Sequence, residues 1–477
     1  MKTLVFLTAL AACGSDPKFA VDKLEDPATC MECHPTHHQQ WSGSMHAYAT
    51  DDPVFVAMEK RGQRETNGQL GTFCIQCHAP MAVALGTVTA DNAKDFDLST
   101  LPAEQKGITC FFCHNVESIQ DDHNNGLQVA LDQTMRGGAK NPVESPAHDS
   151  KYDPMMASAT NNSQMCGSCH DVVTPKGVAL ERSYSEWQTT IFAMNDPANL
   201  LPLTCSGCHM ASHDDVIADK PGLDVPERKN GFHEHLWPAI DEALTPFPNP
   251  DALSAGIKRD LDPAITIVGP TPTGGSAAQA HGGICVTPNA GGQITVRIDS
   301  RGTGHMWPSG AAQDRRAWLE VIAYDAANNV VFQSGVVPDD KDPEEIGDPN
   351  LFWLFDKTTK DDGTPAHFFW DVANVQSQLI KPPITLVQTD PAFDHSSTAT
   401  FNVPGATSNI DHITARVRIR PLALRALDDL VSSGDLDASI ASQVKTLDIS
   451  ATQRTWNKAT GAIGGTNTDG CNPNQFN

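Results

Sequence analysis

The sequence predicts an α+β protein built from two unlike parts. Its first half carries five copies of one short cysteine–histidine motif, separated by segments rich in Gly, Pro and Asn with only short helical stretches. Its second half, which follows a Pro- and Gly-rich region near 240–280, carries several runs with strand-like alternation. We therefore expect a cofactor-organised domain of short helices and loops, followed by a β-sandwich-like domain with C-terminal helices.

The five motifs all read Cys-x-x-Cys-His, the attachment sequence of c-type haem. The two thiols form thioether bonds to the haem, and the imidazole binds its iron as the proximal ligand. The motifs are numbered 1 to 5 in chain order, and they predict five haem c groups. The haem-attaching residues are Cys30, Cys33, Cys74, Cys77, Cys110, Cys113, Cys166, Cys169, Cys205 and Cys208, and the proximal histidines are His34, His78, His114, His170 and His209.

Three other chemistries use paired cysteines. Zinc sites do not require a histidine directly after each second cysteine. A thioredoxin-like redox pair usually occurs once and in a βαβ setting. A disulfide scaffold also gives no reason for a repeated histidine. Because all five pairs carry the histidine, the pattern favours haem.

The N-terminus has the features of an export signal. Residues 1–13 begin with Met-Lys-Thr, continue as an apolar run and end in Leu-Ala-Ala-Cys. This ending is typical of a bacterial lipoprotein, in which Cys13 would be acylated. An ordinary signal with an incidental cysteine is the alternative. The first interpretation predicts a periplasmic or cell-surface lipoprotein of an outer membrane, with residues 14–28 as a tether.

Two cysteines are left over. Thirteen cysteines are present, of which the motifs use ten and the signal uses Cys13. In an oxidising compartment the remaining pair, Cys285 and Cys471, predicts one disulfide. Two free thiols are the alternative.

The charge balance narrows the possible partners. A formal net charge of −25 argues against nucleic acid and against attraction to anionic membranes. We therefore expect redox partner proteins, and a membrane contact only through a lipid anchor at Cys13. An acidic surface of this kind steers basic partners, but it is also simply a soluble one.

The chain divides by composition into a pentahaem domain at 29–240, a linker at 241–280 and a β-rich domain at 281–477. In the first domain, Asp51–Lys60 and Ser183–Met194 are the better helix candidates, and Ser183 and Glu186 have capping-box spacing. The predicted strands are Gln293–Ile298, Ala317–Tyr324, Val330–Ser334, Ile384–Gln388, Ala399–Val403 and His412–Arg420. The predicted C-terminal helices are Leu422–Leu430 and Leu436–Leu447, and Gly461–Asn477 is predicted to be loop.

A second, distal histidine is typical of electron-transfer haems, because it sets the potential and blocks substrate binding. Eighteen histidines are present, enough to give every iron two. His46 closely follows motif 1, and His305 lies in a Gly/Pro-bounded loop between two predicted strands. The predicted distal ligands are His46, His305, His235, His148 and His213. The alternatives are His233, His37, His38, His123, His281, His367, His395 and His412, with Met165 and Met210 beside motifs.

Residues around the motifs carry a family resemblance. Cys30–Ala49 continues from its motif to Trp41, Ser44 and His46. Cys166–Trp187 combines Cys-Gly-Ser-Cys-His-Asp with a later Glu-Trp pair, and Cys208-His209-Met210 fits the same pattern. These stretches resemble multihaem cytochromes related to the tetrahaem partner of hydroxylamine oxidoreductase. Gly304–Gly310 resembles a β-rich module often joined to them. The resemblance spans most of residues 30–420 and implies either an electron carrier or a haem enzyme.

Three functions are compatible with these features. An electron carrier with closed, low-spin haems is the first. A reductase of nitrogen or sulfur compounds with one open haem is the second. The pentahaem nitrite reductases commonly use Cys-x-x-Cys-Lys at the active haem and are mainly helical, whereas every motif here ends in His and the second half is β-rich. A haem filament is the third, and no sequence feature demands it. The sequence favours the carrier, with no catalytic residue assigned.

Overall fold

The computed structural model describes residues 18–157, 159–193, 203–267, 283–286, 292–300, 302–387, 390–405 and 407–459. Its helices are short and concentrated in the first half. They span Val21–Glu25, Pro27–Cys30, Pro35–Ser42, Met45–Tyr48, Pro53–Glu65, Ile75–His78, Pro80–Ala84, Cys110–His114, Pro154–Ala157, Ala159–His170, Ser183–Trp187, Cys205–His209, Pro250–Leu261, Leu424–Ser432 and Ala438–Ala441. None of the described helices is long and apolar enough to cross a bilayer.

Motifs 3 and 5 each form a short helix, Cys110–His114 and Cys205–His209, and motif 4 ends the helix Ala159–His170. Motif 2 is helical from Ile75, whereas in motif 1 only Cys30 is helical. Residues three and four apart share one face of a helix, so Cys-x-x-Cys-His presents two thiols and an imidazole to the same side. Threonine caps begin two of these turns. Thr109 accepts a hydrogen bond from the Phe112 N–H, and Thr204 accepts one from the Gly207 N–H. Each cap satisfies a backbone donor that a short helix leaves unpaired.

Strands of the first half form small two-stranded ribbons between motifs. Thr134–Gly137 pairs parallel with Asp149–Tyr152, and the other ribbons are antiparallel. The strands of this half are Val116–Ile119, Leu127–Val129, Thr134–Gly137, Asp149–Tyr152, Asp171–Val173, Ala179–Arg182, Ser212–Val216 and Glu227–His233. The first half therefore contains little continuous secondary structure.

Two segments predicted as tether and linker are folded where they are described. In the predicted tether 14–28, Val21–Glu25 is helical, and its buried Leu24 packs with Phe111 and Phe112 of motif 3. In the predicted linker 241–280, Pro250–Leu261 is an amphipathic helix. Apolar residues at helical spacing anchor both segments, so neither is an extended connector.

The second half contains two antiparallel sheets. The four-stranded sheet is built on Gln293–Asp299 paired with Ser396–Asn402, and the six-stranded sheet is built on Arg316–Tyr324 paired with His412–Arg420. Alternate residues of both sheets enter one apolar cluster, as in a sandwich. The remaining strands are Thr266–Ile267, Ile284–Val286, Val330–Ser334, Phe352–Leu354, Leu447–Asp448 and Arg454–Asn457, and a separate ribbon joins Asp356–Thr359 to Asn374–Ser377. The predicted α+β class is therefore confirmed.

Three predicted elements differ from the structure. Residues 384–387 are not a strand, and the apolar side chains of Leu386 and Val387 are exposed rather than packed in a core. Only Ala438–Ala441 of the predicted helix Leu436–Leu447 is helical, and Leu447–Asp448 instead extends the six-stranded sheet. The predicted helix Ser183–Met194 ends at Trp187.

Two features of the second half concern charge and cysteine chemistry. Arg420 and Asp342 form an ion pair at 3.0 Å with both side chains fully buried. The same carboxylate accepts hydrogen bonds from backbone N–H groups at the start of Leu424–Ser432.

Cys285 is buried on Ile284–Val286 and is disulfide-bonded. Its predicted partner Cys471, like Cys13 and His281, lies outside the described residues.

Candidate haem sites

One cavity of about 1760 Å³ runs through the first half and reaches the β-rich half. Its wall includes both cysteines and the histidine of every motif. It also includes four of the five predicted distal histidines, namely His46, His148, His235 and His305. The residues that the sequence predicts as haem ligands therefore converge on one continuous space.

Four proximal histidines are oriented by backbone carbonyls. The Nδ1–H of each donates to a carbonyl oxygen, which leaves Nε2 free to bind a metal. The acceptors are Ile217 for His34 (2.6 Å), Ala49 for His78 (3.2 Å), Arg136 for His114 (2.6 Å) and Pro238 for His209 (3.0 Å). Such bonds fix the ring orientation before any metal is present.

Four motif histidines each have a second imidazole opposite them. Two imidazoles on one metal, with metal–nitrogen bonds of about 2.0 Å, have ring centres about 6.3 Å apart. The observed ring-centre separations are 6.4 Å for His34 and His148, 6.2 Å for His46 and His170, 6.2 Å for His114 and His235, and 6.4 Å for His209 and His305. The side chains therefore fit bis-histidine haem iron at motifs 1, 3, 4 and 5.

Burial keeps these imidazoles neutral, the form that a metal binds. Desolvation is the largest cause in each case. It lowers the pKa of His46 to about 3, of His235 to about 3 and of His305 to about 4. At neutral pH these rings therefore offer a lone pair rather than a charge.

His46 is held by the turn that precedes motif 3. The His46 carbonyl accepts a hydrogen bond from the Ile108 N–H at 2.9 Å. The Ile108 carbonyl accepts one from the Trp41 indole at 2.8 Å. Between them, Gly107 has a φ of +63°, and a Cβ there would lie 2.5 Å from the His46 carbonyl oxygen. The close approach requires glycine.

His305 is held by a buried carboxylate of the first half. Glu186 accepts hydrogen bonds from the Met306 N–H at 3.1 Å and from the Ser309 hydroxyl at 3.2 Å. Burial raises the pKa of Glu186 to about 7, against a smaller lowering by Arg182. Glu186 therefore does not form the predicted capping box with Ser183. Asp171, which directly follows motif 4, accepts the N–H groups that start that helix instead.

His78 of motif 2 is different. Among the described residues, no imidazole ring lies across from it at the separation found for the other four. The Phe55 ring stacks on His78 with centres 4.0 Å apart and planes 2° apart. Met58 and Glu59 from the same helix also line the cavity.

His213 does not occupy the fifth distal position. Its half-exposed ring packs on Phe232 with centres 4.7 Å apart, and its Nε2 lies 3.9 Å from Asp215. Among the described alternatives, His37 has its ring centre 6.1 Å from that of His34, with planes 70° apart. The same ring packs between Phe232 and His235, at ring-centre distances of 4.1 and 4.6 Å. His123, His367, His395 and His412 lie beside carboxylates.

Cysteines of different motifs also meet. The thiols of Cys30 and Cys110 interact, as do those of Cys166 and Cys205 and those of Cys77 and Cys169. Cys113 interacts electrostatically with both cysteines of motif 4. Motif 3 therefore adjoins motifs 1 and 4, and motif 4 also adjoins motifs 2 and 5.

Comparison with known proteins identifies a similar family and a similar solved structure. Residues 29–115, which contain motifs 1 to 3 and His46, match the family model described as cytochrome c554 and c-prime. The structure is similar to a pentahaem cytochrome c552 from Thermochromatium tepidum, with a TM-score of 0.55 at 18% identity. The match covers 89% of this chain and 97% of that one. The chain has the fold of a multihaem c-type cytochrome. No curated protein sequence matches it.

The cytochrome fold contains supporting residues that motif reading did not assign. Trp237 lies between two of the predicted ligands, at ring-centre distances of 4.6 Å from His46 and 5.1 Å from His235. The sequence pattern distinguishes Glu186 only by its spacing from Ser183 and by the adjacent Trp187. Its contact with the Met306 N–H in the His305 loop crosses 120 positions of the chain. A single sequence carries no signal for contacts of that range.

Proposed function

We propose that this multihaem cytochrome is an electron-transfer protein of the cell envelope that holds five haem c groups, one on each motif. The observation that carries the proposal is the set of four imidazole pairs with the separation that a shared iron requires. An iron with two imidazole ligands has no open position, and haem supplies one-electron redox chemistry when bound. His34, His46, His114, His148, His170, His209, His235 and His305 would then be axial ligands.

The contacts between motifs support a defined order of sites. We name each site by its motif. Thiol contacts join site 1 to site 3 and site 4 to site 5, and Cys113 brings site 3 next to site 4. The resulting path is 1–3–4–5, with site 2 joined to site 4 through Cys77 and Cys169. Sites that adjoin one another at each step favour fast electron transfer without a mobile carrier.

The two ends of this path reach the surface. In motif 1 the Met31 side chain is 53% exposed and Glu32 is also exposed. In motif 5 Cys208 is exposed. The inner residues of motif 3 are both buried. Sites 1 and 5 are therefore the expected contact points for redox partner proteins.

Intact mass, haem quantitation and a redox titration test the proposal together. Five haems per chain and five one-electron components are expected. Three haems or fewer would overturn the assignment of one haem to each motif. Full haem content with no reversible reduction would overturn the electron-transfer function.

A second function is favoured by one observation: among the described residues, no imidazole lies opposite His78, and the Phe55 ring stacks on it instead. An iron at site 2 would then be open to a small ligand, as a reductase of nitrogen or sulfur compounds requires. The reduced protein should bind carbon monoxide or nitric oxide at one haem in five. Turnover of nitrite, hydroxylamine or sulfite by the reduced protein would establish the enzyme. Ligand binding at no haem would exclude it.

Export and lipid attachment belong to the same proposal. Covalent haem attachment outside the cytoplasm and the Leu-Ala-Ala-Cys ending of residues 1–13 support it. Labelling of cells with radioactive palmitate should mark the wild-type chain and not Cys13→Ser. Equal labelling of the two would remove the anchor, and recovery of the haem-containing protein in the cytoplasm would remove export.

A further inference from the structure

Trp237 contacts a predicted ligand of each of two neighbouring haem sites. Its indole meets His46 at a ring-centre distance of 4.6 Å with planes 74° apart, and it meets His235 at 5.1 Å with planes 71° apart. Both contacts are edge-to-face, the arrangement that aromatic rings favour. His46 lies opposite the histidine of motif 4, and His235 lies opposite that of motif 3. One side chain therefore touches the second imidazole of each of two neighbouring sites.

The backbone at Trp237 is strained. Its φ is +45°, a left-handed conformation that costs a bulky L-residue about 1–2 kcal/mol. The residues around it hold it in place. Leu236 is buried against Leu253 and Ile257, and the Pro238 carbonyl accepts the Nδ1–H bond of His209. Strain that persists under such constraint points to a role for the residue.

The ligands on either side are less firmly held without the indole. His235 has one ring hydrogen bond, from its Nδ1–H to the His233 carbonyl at 2.8 Å. For His46 the described structure shows a bond to its backbone carbonyl and none to its ring. The indole therefore packs on a His46 ring that has no hydrogen bond in the described structure, and it fills the space between the two imidazoles.

We propose that Trp237 is a positioning residue that fixes the orientations of His46 and His235 as ligands of sites 4 and 3 and shields both from water. The inference rests on the proposed function, because it assumes iron between each imidazole pair. It goes beyond that function by naming a non-ligand residue on which the step between sites 3 and 4 depends. A residue that only fills the cavity would affect neither ligand geometry nor potential selectively.

The test compares three variants by electron paramagnetic resonance of the oxidised protein and by redox titration. Trp237→Leu removes the edge-to-face contacts and most of the ring. It is expected to change two of the low-spin signals and to lower the midpoint potentials of two components, because water admitted beside the ligands favours ferric iron. A shift of up to tenfold in the reduction equilibrium is expected, which is about 59 mV for a one-electron couple.

Two further variants serve as matched controls. Trp237→Phe keeps an aromatic edge and is expected to alter the same two signals by less. Trp353→Leu removes a tryptophan that packs on Phe355, outside the cavity wall, and is expected to leave every signal unchanged. Assignment of the two signals comes from His46→Ala and His235→Ala, each of which should abolish one of them.

The outcomes separate the inference from the proposed function. Unchanged signals in Trp237→Leu, or changes spread evenly over all components, would overturn the positioning role. If Trp237→Leu does not accumulate with its haems, Trp237→Phe decides the matter, and signals equal to wild type would count against it. A wild-type protein without haem would instead sink the proposed function, and all variants would then lack low-spin signals.

Discussion

Replacing His305 with alanine tests how the sites are closed. The ring of His305 lies 6.4 Å from that of His209 with planes 10° apart, and the two side chains come from different halves of the chain. If both bind one iron, the substitution leaves that iron with a single protein ligand. Site 5 should then change from low-spin to high-spin, while the other sites keep their ligands.

The size of the effect follows from the loss of one ligand. The His209 and His305 ring centres are 6.4 Å apart, a separation that fits two imidazoles on one metal. Alanine offers no nitrogen to bind a metal, and the space left by the imidazole can admit water. His305→Ala should therefore contain one low-spin haem fewer and one high-spin haem more than wild type.

Quantitative electron paramagnetic resonance measures both numbers, with haem content checked by mass. Imidazole added to His305→Ala should fill the vacated position and restore the low-spin signal. His213→Ala is the matched control, because this histidine opposes no motif histidine and should change nothing. The reasoning would be refuted by an unchanged spin count in His305→Ala, or by an equal change in His213→Ala.

Three further substitutions address packing and charge. Gly167→Ala should lower the free energy of unfolding by about 1–3 kcal/mol, because its Cβ would lie 2.2 Å from the Tyr184 ring, as thermal melting would show. Glu186→Gln should remove a pH dependence. Burial raises the pKa of Glu186 to about 7 in the folded protein, so the folded state holds this proton more tightly than the unfolded chain does. The resulting stabilisation is complete below pH 4.5 and is lost as the pH rises through 7. Relative to wild type, the variant should therefore gain about 3 kcal/mol between pH 4.5 and pH 8 in denaturant titrations. Arg420→Met should cost about 3–5 kcal/mol in the same assay, because it leaves the Asp342 carboxylate buried and unpaired.

Each of these has a control in the chain. Gly207→Ala meets nothing closer than 3.3 Å and should be nearly neutral. Glu32→Gln alters an exposed carboxylate and should not reproduce the pH effect of Glu186→Gln. Arg64→Met removes a guanidinium that is 54% exposed from its ion pair with Asp435, and should cost less than Arg420→Met. An equal change in the free energy of unfolding in a variant and its control would contradict the argument from burial.

The sequence predicts the haem-binding residues better than it predicts which residues surround them in space. The five motifs are local, and their spacing alone places three ligands on one side of a helical turn. His46 and His305 could be selected because each lies in a distinctive local context. Their partners in space, His170 and His209, could not be assigned, since nothing in a single chain encodes which distant imidazole lies opposite which.

The misplaced predictions have physical causes. The histidine count predicts His213 as a fifth distal ligand, whereas its ring packs on Phe232 and the Phe55 ring stacks on His78. The predicted linker contains Pro250–Leu261 because the Pro-rich composition around it concealed a short amphipathic pattern. Leu436–Leu447 has helical periodicity, but Thr446 binds the buried Arg420 guanidinium, and tertiary contacts there outweigh helix propensity.

The four imidazole pairs also define a pattern of cross-links. Each would join residues about a hundred positions apart, so that iron ligation closes loops whose closure entropy is otherwise unfavourable. The loops overlap. The span from His34 to His148 contains His46 and His114, and the span from His114 to His235 contains His170 and His209. Loss of one cross-link would therefore weaken the overlapping ones, and assembly of the haem-containing protein should be all-or-none. Because His305 is the last of these ligands in the chain, the cross-link to His209 would be the one that ties the β-rich half to the other three.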